Sequence, residues 1–260
     1  MGRSILMKNV VFIPNIDLGN GRNKSYEYSI QSWKHFCDKN NCELFLLEDL
    51  VTDVKIMPIV WQRYFSIDIL DNSDIDYDQV LIADADTIVH PDCPNLFEET
   101  SGLYSAVMND GDYEWVNKSI SQYGERFFNK DRFETWRYVN GGLQIFNKSH
   151  KDYLTGLLNW YNTNSDELLK VFGEWNSCDQ TCINFYRESQ DLPMTILPGC
   201  YNLQDLARKN LLYFHPQQWW SDELHFLKNG WIYHFNAIPQ NPMNRDSNYW
   251  IERTYKELYV

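Results

Sequence analysis

Three apolar runs in the first third of the chain, NVVFIPNI, CELFLLE and QVLIADADTIV, are separated by stretches of helical periodicity. After the first run, Ser25 offers an N-cap to a helix whose Tyr26, Ile30, Trp33 and Cys37 fall on one face. After the second, Pro58 opens a helix at its first position, with Val60, Tyr64 and Ile67 aligned, and DNSDIDYD is the polar loop before the third run. Strands alternating with helices predict an α/β fold with a largely parallel central sheet, and such sheets bind ligands at the carboxyl ends of their strands. Asn15, Asp17, Asp84 and Asp86 lie at those ends. Farther on, YSAVMND and GGLQIFN read as strands, Tyr153, Leu157, Leu158 and Tyr161 mark a helix, and another helix starts near Asp179, which suits its cap. From about residue 200 the chain turns irregular and aromatic, as in HPQQWW and YHFNAIPQNP, and reads as a wall or lid over a ligand site.

The 260 residues suit one unit over 1–260, with a first half, 1–100, ending in the aspartate-bearing strand and a second half, 101–260, carrying the irregular segment. A net charge of -13 argues against a nucleic-acid surface or an anionic membrane, both of which need clustered Lys and Arg. Cys37, Cys42, Cys93, Cys178, Cys182 and Cys200 form no CxxC pair and read as reduced thiols. SILMKNVVFIP is interrupted by Lys8 and Asn9 and reads as a strand, not a signal peptide. No run approaches the roughly 20 apolar residues of a membrane helix, so a soluble, cytoplasmic protein is expected.

Asp84 and Asp86 interrupt a run that otherwise reads as one buried strand. Ionised carboxylates there are costly unless paired or bound to a metal. One intervening residue lets a bend aim both at a single hard cation, Mn²⁺ or Mg²⁺, which then bridges a diphosphate. The alternative is that they cap a turn or neutralise a nearby Arg. DADTI also comes close to the strand end of aspartate-nucleophile phosphatases of haloacid dehalogenase type. That pattern usually opens a domain, and no DD pair follows Asp86.

An ordered series of motifs resembles the glycosyltransferase A fold, most of all the glycogenin and bacterial galactosyltransferase-like retaining family. VLIADADTIV looks like its DxD strand, AVMNDGD like the acidic segment after it, and YVNGGLQIFN like its glycine-bearing strand. DQTCINFY, LPGCYN and IYHFNA are similar to its DQ helix start, its tyrosine-asparagine turn and its metal-histidine strand. The resemblance implies a Rossmann-like mostly parallel sheet flanked by helices in a single domain, the first half binding nucleotide. It also implies a Mn²⁺-dependent (or Mg²⁺-dependent) enzyme moving a sugar from a nucleotide diphosphate sugar, a UDP-sugar by preference, to a glycan or other hydroxyl acceptor, with retention favoured over inversion. A catalytically silent carbohydrate-binding protein is a further alternative.

By the same resemblance Asp84, Asp86 and His234 hold the metal, Asp84 also touching the ribose. Arg63 faces the donor diphosphate, although a solvated helix face would place an Arg there equally. Asn15 and Asp17 are candidates for base and ribose, or simply loop formers. Asp110, Asn140, Gly141, Gly142, Asp179 and Gln180 fall where the family holds sugar hydroxyls near the reacting carbon, and Asp179 or Asp110 would be the base of an inverting enzyme. Adjacent glycines on an apolar strand suggest close approach of a ligand to the backbone, or a bulge. Trp115, Trp136, Trp219, Trp220 and Trp231 are candidates for an acceptor platform. The family's glycine and lysine after the histidine are replaced in HFNAIPQNP, with Arg245 as a substitute cation.

Overall fold

The computed structural model describes residues 8–130, 132–175, 179–212, 223–239 and 245–260. The chain opens with β1 (Asn9–Pro14), α1 (Tyr26–Asn40) and β2 (Glu43–Leu47), followed by α2 (Ile59–Gln62), a 3-10 turn over Arg63–Phe65, α3 (Ser66–Asp71) and β3 (Gln79–Ala83). β1 pairs in parallel with β2 and with β3, as the strand-helix alternation predicts. Two local expectations shift. Ser25 stands at the N-cap of α1, but its side chain makes no capping bond; its backbone N–H is instead held by Asn248 Oδ1 at 3.1 Å. Pro58 has an extended ψ of 146°, so helical geometry begins one residue later, at Ile59.

β4 (Thr87–Val89), β5 (Tyr104–Met108), α4 (Tyr113–Tyr123), β6 (Val139–Asn147), α5 (Lys151–Trp175), α6 (Asp179–Ser189), β7 (Met194–Leu197), β8 (Ile232–His234) and α7 (Ser247–Tyr259) follow. The central sheet has six strands in the order β2-β1-β3-β6-β5-β7. β6 runs antiparallel to both its neighbours, β3 and β5, while β7 is parallel to β5. β4 and β8 form a separate antiparallel ribbon.

Successive residues of the central strands point to opposite faces, and both faces are covered, which is why these strands read as continuous apolar runs. On one face Val11, Leu81 and Ile145 pack with Trp33 of α1 and Trp250 of α7. On the other, Val10, Ile82 and Phe146 pack with Trp61, Leu157 and Tyr161. Burying each such side chain contributes about 1.5–3 kcal/mol, enough to hold the strand ends where polar groups converge.

Candidate active site

The run VLIADADTIV is two strands, not one, and Asp84 to Asp86 is the break. Asp84 still belongs to the sheet through its N–H, which donates to Gly142 O at 2.8 Å. Thr87 Oγ1 then donates to the Asp84 carbonyl at 2.7 Å and accepts from the buried Trp33 indole N–H at 2.8 Å. These bonds turn the chain out of the sheet into β4. Thr87 pairs with His234 on β8, and the Phe235 N–H donates to Asp86 O at 2.8 Å.

The turn brings one ligand atom each from Asp84, Asp86 and His234 within 4.8 Å of one another. His234 Nε2 lies 3.2 Å from Asp86 Oδ1 and 3.5 Å from Asp84 Oδ2. The remaining oxygens face arginines: Arg63 Nη1 is 2.7 Å from Asp84 Oδ1, and Arg22 Nη2 is 3.2 Å from Asp86 Oδ2. The arginine-pairing reading of the aspartates is therefore met, and each carboxylate turns its other oxygen to the imidazole.

Backbone geometry sets the tautomer of that imidazole. The Gly142 N–H can only donate, and it donates to Asn140 Oδ1 at 2.9 Å. That oxygen also receives Asn202 Nδ2 at 3.0 Å, which leaves Asn202 Oδ1 facing His234 Nδ1 at 3.2 Å. Nδ1 must carry a hydrogen, and the lone pair of a neutral His234 falls on Nε2. Nε2 is buried without a hydrogen bond of its own, opposite two carboxylate oxygens. An imidazole nitrogen and two carboxylates fit a divalent cation such as Mn²⁺, and a second-shell amide on the far ring nitrogen is the usual support for such a ligand.

Without a cation, a proton takes its place. Burial acts to lower the His234 pKa, but the Asp86 and Asp84 carboxylates outweigh it and raise it. Burial acts to raise the Asp86 pKa, and His234 and Arg22 outweigh it and hold it well below the usual carboxylate range.

Arg63 is not on a solvated helix face. It is buried, donating from Nη1 to Gly141 O at 2.8 Å and from Nε to Val60 O at 2.9 Å as well as pairing with Asp84. Asp179, the first residue of α6, lies with Oδ2 3.8 Å from Arg63 Nε and accepts from Tyr64 Oη at 3.3 Å. Its pKa is raised, chiefly by burial and further by Asp84, against the pull of Arg63. Gln180 Oε1 accepts from the Gly141 N–H at 3.0 Å and from Asn140 Nδ2 at 3.1 Å. Asn184 fixes that register: its side-chain amide accepts from the Val139 N–H and donates to Val139 O, both at 2.8 Å, like one more strand partner for β6.

At Gly142 the close approach comes from within the protein. A Cβ there would lie inside contact distance of His234 Cε1 and 2.6 Å from Asp84 Oδ2. At Gly141 the nearest atom, Asp179 Oδ2, would be 3.5 Å away, an ordinary contact. Asp110 is half exposed and its Oδ1 receives Lys209 Nζ at 2.7 Å.

Asp84, Asp86, Arg63 and Arg22 line a cavity of about 170 Å³ that also touches Tyr26 and Asn23. Asn15 and Asp17 line a neighbouring cavity of about 490 Å³ that shares those two residues. The two cavities adjoin at Asn23 and Tyr26, and the larger is in the size range of small-molecule sites. Asp17 Oδ1 accepts from the Gly19 N–H at 2.8 Å, the loop-forming role. Asn15 Oδ1 is buried without a partner.

Of the five tryptophans, Trp115 and Trp231 pack against the core, the latter edge-on to His90 at the opposite end of β8 from His234. Trp136 is 61% exposed. Trp219 and Trp220 lie outside the described residues. Arg245 lies over the Tyr249 ring, 5.5 Å from its centroid. Sequence reasoning missed Arg22, Tyr64, Asn202 and Gln144, whose Nε2 donates to Tyr64 Oη at 3.2 Å and to Gly141 O at 2.8 Å, as parts of the site. Only Asn202 carried a signal, as the last residue of LPGCYN.

No protein-family model matches the sequence, and no curated protein matches it. Solved structures do. A glycosyltransferase involved in glycosylation of the major capsid of PBCV-1 matches with a TM-score of 0.58 at 10% identity, over 95% of this chain and 98% of that one. The galactosyltransferase LgtC, solved with donor and acceptor sugar analogs, matches with a TM-score of 0.54 at 13% identity, over 97% and 96%. This is a glycosyltransferase A fold. The bifunctional glycosyltransferase WbbM matches with a TM-score of 0.55 at 16% identity, over all of this chain and 51% of that one, so the glycosyltransferase A fold seen here corresponds to about half of WbbM. In this glycosyltransferase A fold the Asp84, Asp86 and His234 cluster sits at the carboxyl end of β3.

Proposed function

We propose that the protein is a Mn²⁺-dependent glycosyltransferase that transfers a sugar from a UDP-sugar to a glycan or other hydroxyl acceptor, with retention of anomeric configuration. The observation that carries this reading is the convergence of Asp84, Asp86 and a tautomer-fixed His234 at the strand end of a glycosyltransferase A fold. A divalent cation held there supplies charge stabilisation to the departing diphosphate as the glycosidic C–O bond breaks. Arg63 pairs with Asp84 and aims it. The 490 Å³ cavity with Asn15 and Asp17 takes the nucleoside, and Asn140, Gly141, Asp179 and Gln180 lie around the sugar. Among the described tryptophans suggested for an acceptor platform, Trp136 is the exposed one.

Retention is favoured because neither carboxylate on the sugar side is free to act as the acceptor's base. Asp110 is paired with Lys209, and Asp179 is buried beneath Arg63 and Tyr64. Both then serve as hydroxyl-binding groups, and the leaving phosphate takes the acceptor proton. The phosphatase alternative is disfavoured, because the solved structures that this fold matches are glycosyltransferases.

The test is donor hydrolysis and transfer with a panel of nucleotide sugars, with Mn²⁺ and with EDTA, and proton NMR of the product anomer. Turnover of a UDP-sugar that requires Mn²⁺ and disappears in Asp86→Ala is expected. Turnover that persists in EDTA, or an inverted product, would overturn the corresponding part.

A further inference from the structure

The loop between β1 and α1 carries a cation that none of the motifs points to. Gly19 and Gly21 have φ of +70° and +74°, a conformation that suits glycine, and they bracket Asn20, whose Oδ1 accepts from the Arg22 N–H at 3.0 Å. Asn248 of α7 clamps the same loop, donating to Gly21 O at 3.3 Å and accepting from the Ser25 N–H. Arg22 is thus aimed by a fixed backbone. Its Nε donates to Tyr26 Oη at 3.0 Å and its Nη2 to Asp86 Oδ2 at 3.2 Å, while Nη1 makes no hydrogen bond among the described residues. The side chain is 68% exposed.

The cavity beside the metal cluster has two cations in its lining, Arg22 and Arg63. Arg63 is buried and held by Asp84, Gly141 and Val60, so its donors face protein. Arg22 is tied on one edge only and presents the rest of its fork to the cavity. A planar guanidinium so placed matches the non-bridging oxygens of a phosphate.

We infer that Arg22 is a diphosphate-binding residue, holding the phosphate oxygens of a nucleoside diphosphate with the guanidinium edge that Asp86 and Tyr26 leave open. This deepens the proposed function and rests on its nucleoside diphosphate donor. The contact with Asp86 couples the residue to the metal cluster, so a role confined to bracing that carboxylate is the competing explanation, and the experiment separates them.

Isothermal titration of wild type, Arg22→Gln and Arg22→Lys would measure Mn²⁺ alone and then, at saturating Mn²⁺, UDP, GDP, CDP and ADP with their phosphate-free nucleosides. The diphosphate that binds wild type should bind Arg22→Gln about tenfold or more weakly, the scale of a lost hydrogen bond between charged groups. Its nucleoside should bind both proteins alike, Arg22→Lys should be intermediate, and Mn²⁺ affinity should not fall. Equal diphosphate affinity in wild type and Arg22→Gln overturns the inference, and so does a loss that affects nucleoside and Mn²⁺ as much as diphosphate. If wild type binds none of the four diphosphates, the donor reading itself fails and takes this inference with it. Without Mn²⁺, Arg22→Gln should melt somewhat below wild type, since it removes a cation beside Asp86, and Arg22→Lys, which keeps the charge, closer to it.

Discussion

His234 depends on a residue it touches only through its far nitrogen. Replacing Asn202 with Leu removes the acceptor that keeps hydrogen on Nδ1, and Mn²⁺ affinity should fall about 10- to 100-fold. Asn202→Asp, which keeps an acceptor, should lose less; equal loss in both variants would argue against tautomer control. Gly142→Ala pushes a methyl into His234 and Asp84, so it should abolish Mn²⁺ binding and cost about 1–3 kcal/mol of stability, whereas Gly141→Ala should fold normally. Titration of the cluster has a definite sign. The raised pKa of His234 means that its pairing with Asp86 stabilises the metal-free fold fully below the ordinary value of 6.5 and is lost as pH rises through the higher folded value. The depressed pKa of Asp86 gives stability above the ordinary 3.8 that is lost as pH falls through the lower folded value. Mn²⁺ competes with the proton on Nε2, so its affinity should climb with pH and its binding should release a proton near pH 6. Titrations in two buffers of different ionisation enthalpy measure that proton directly, and finding none would contradict the arrangement described.

At the scale of elements, the first three strands were readable because β1 and β3 are buried on both faces, and they and the half-buried edge strand β2 appear as apolar runs. The reversed direction of β6 was not readable, since VNGGLQIFN alternates no differently for an antiparallel neighbour. The division of VLIADADTIV into β3 and β4 was hidden for a similar reason. Its partner β8 lies in a distant segment, and only the aspartates mark the break. The metal trio was legible through motif order, while Arg22 was not, because a single cation in a glycine-bearing loop has no spacing to betray it. The docking of α6 on β6 was equally silent, resting on the side-chain amides of Gln180 and Asn184. Asn184→Ala would leave the Val139 N–H and carbonyl unpaired in the core, and should cost about 2–4 kcal/mol in urea unfolding. A loss under 1 kcal/mol would show that α6 is held by packing alone.

For the whole molecule, a cation that binds only the folded state adds stability by mass action, about 2.7 kcal/mol at a hundredfold excess over Kd. Mn²⁺ should therefore raise the melting temperature of wild type and leave that of Asp86→Ala unchanged. A shift of equal size in both would place the bound ion elsewhere on this acidic chain, whose net charge is -13. No helix among the described residues is long and apolar enough to cross a membrane. The ribbon of β4 and β8 also sets an order of events during synthesis. About 150 residues separate Asp84 from His234, and at 5–20 residues per second the ribosome needs roughly 8–30 seconds to deliver the histidine after the aspartates. Through that interval the nascent chain carries two carboxylates with no imidazole to complete the trio, so the metal binding proposed above would be a late checkpoint, open only to a chain made through β8.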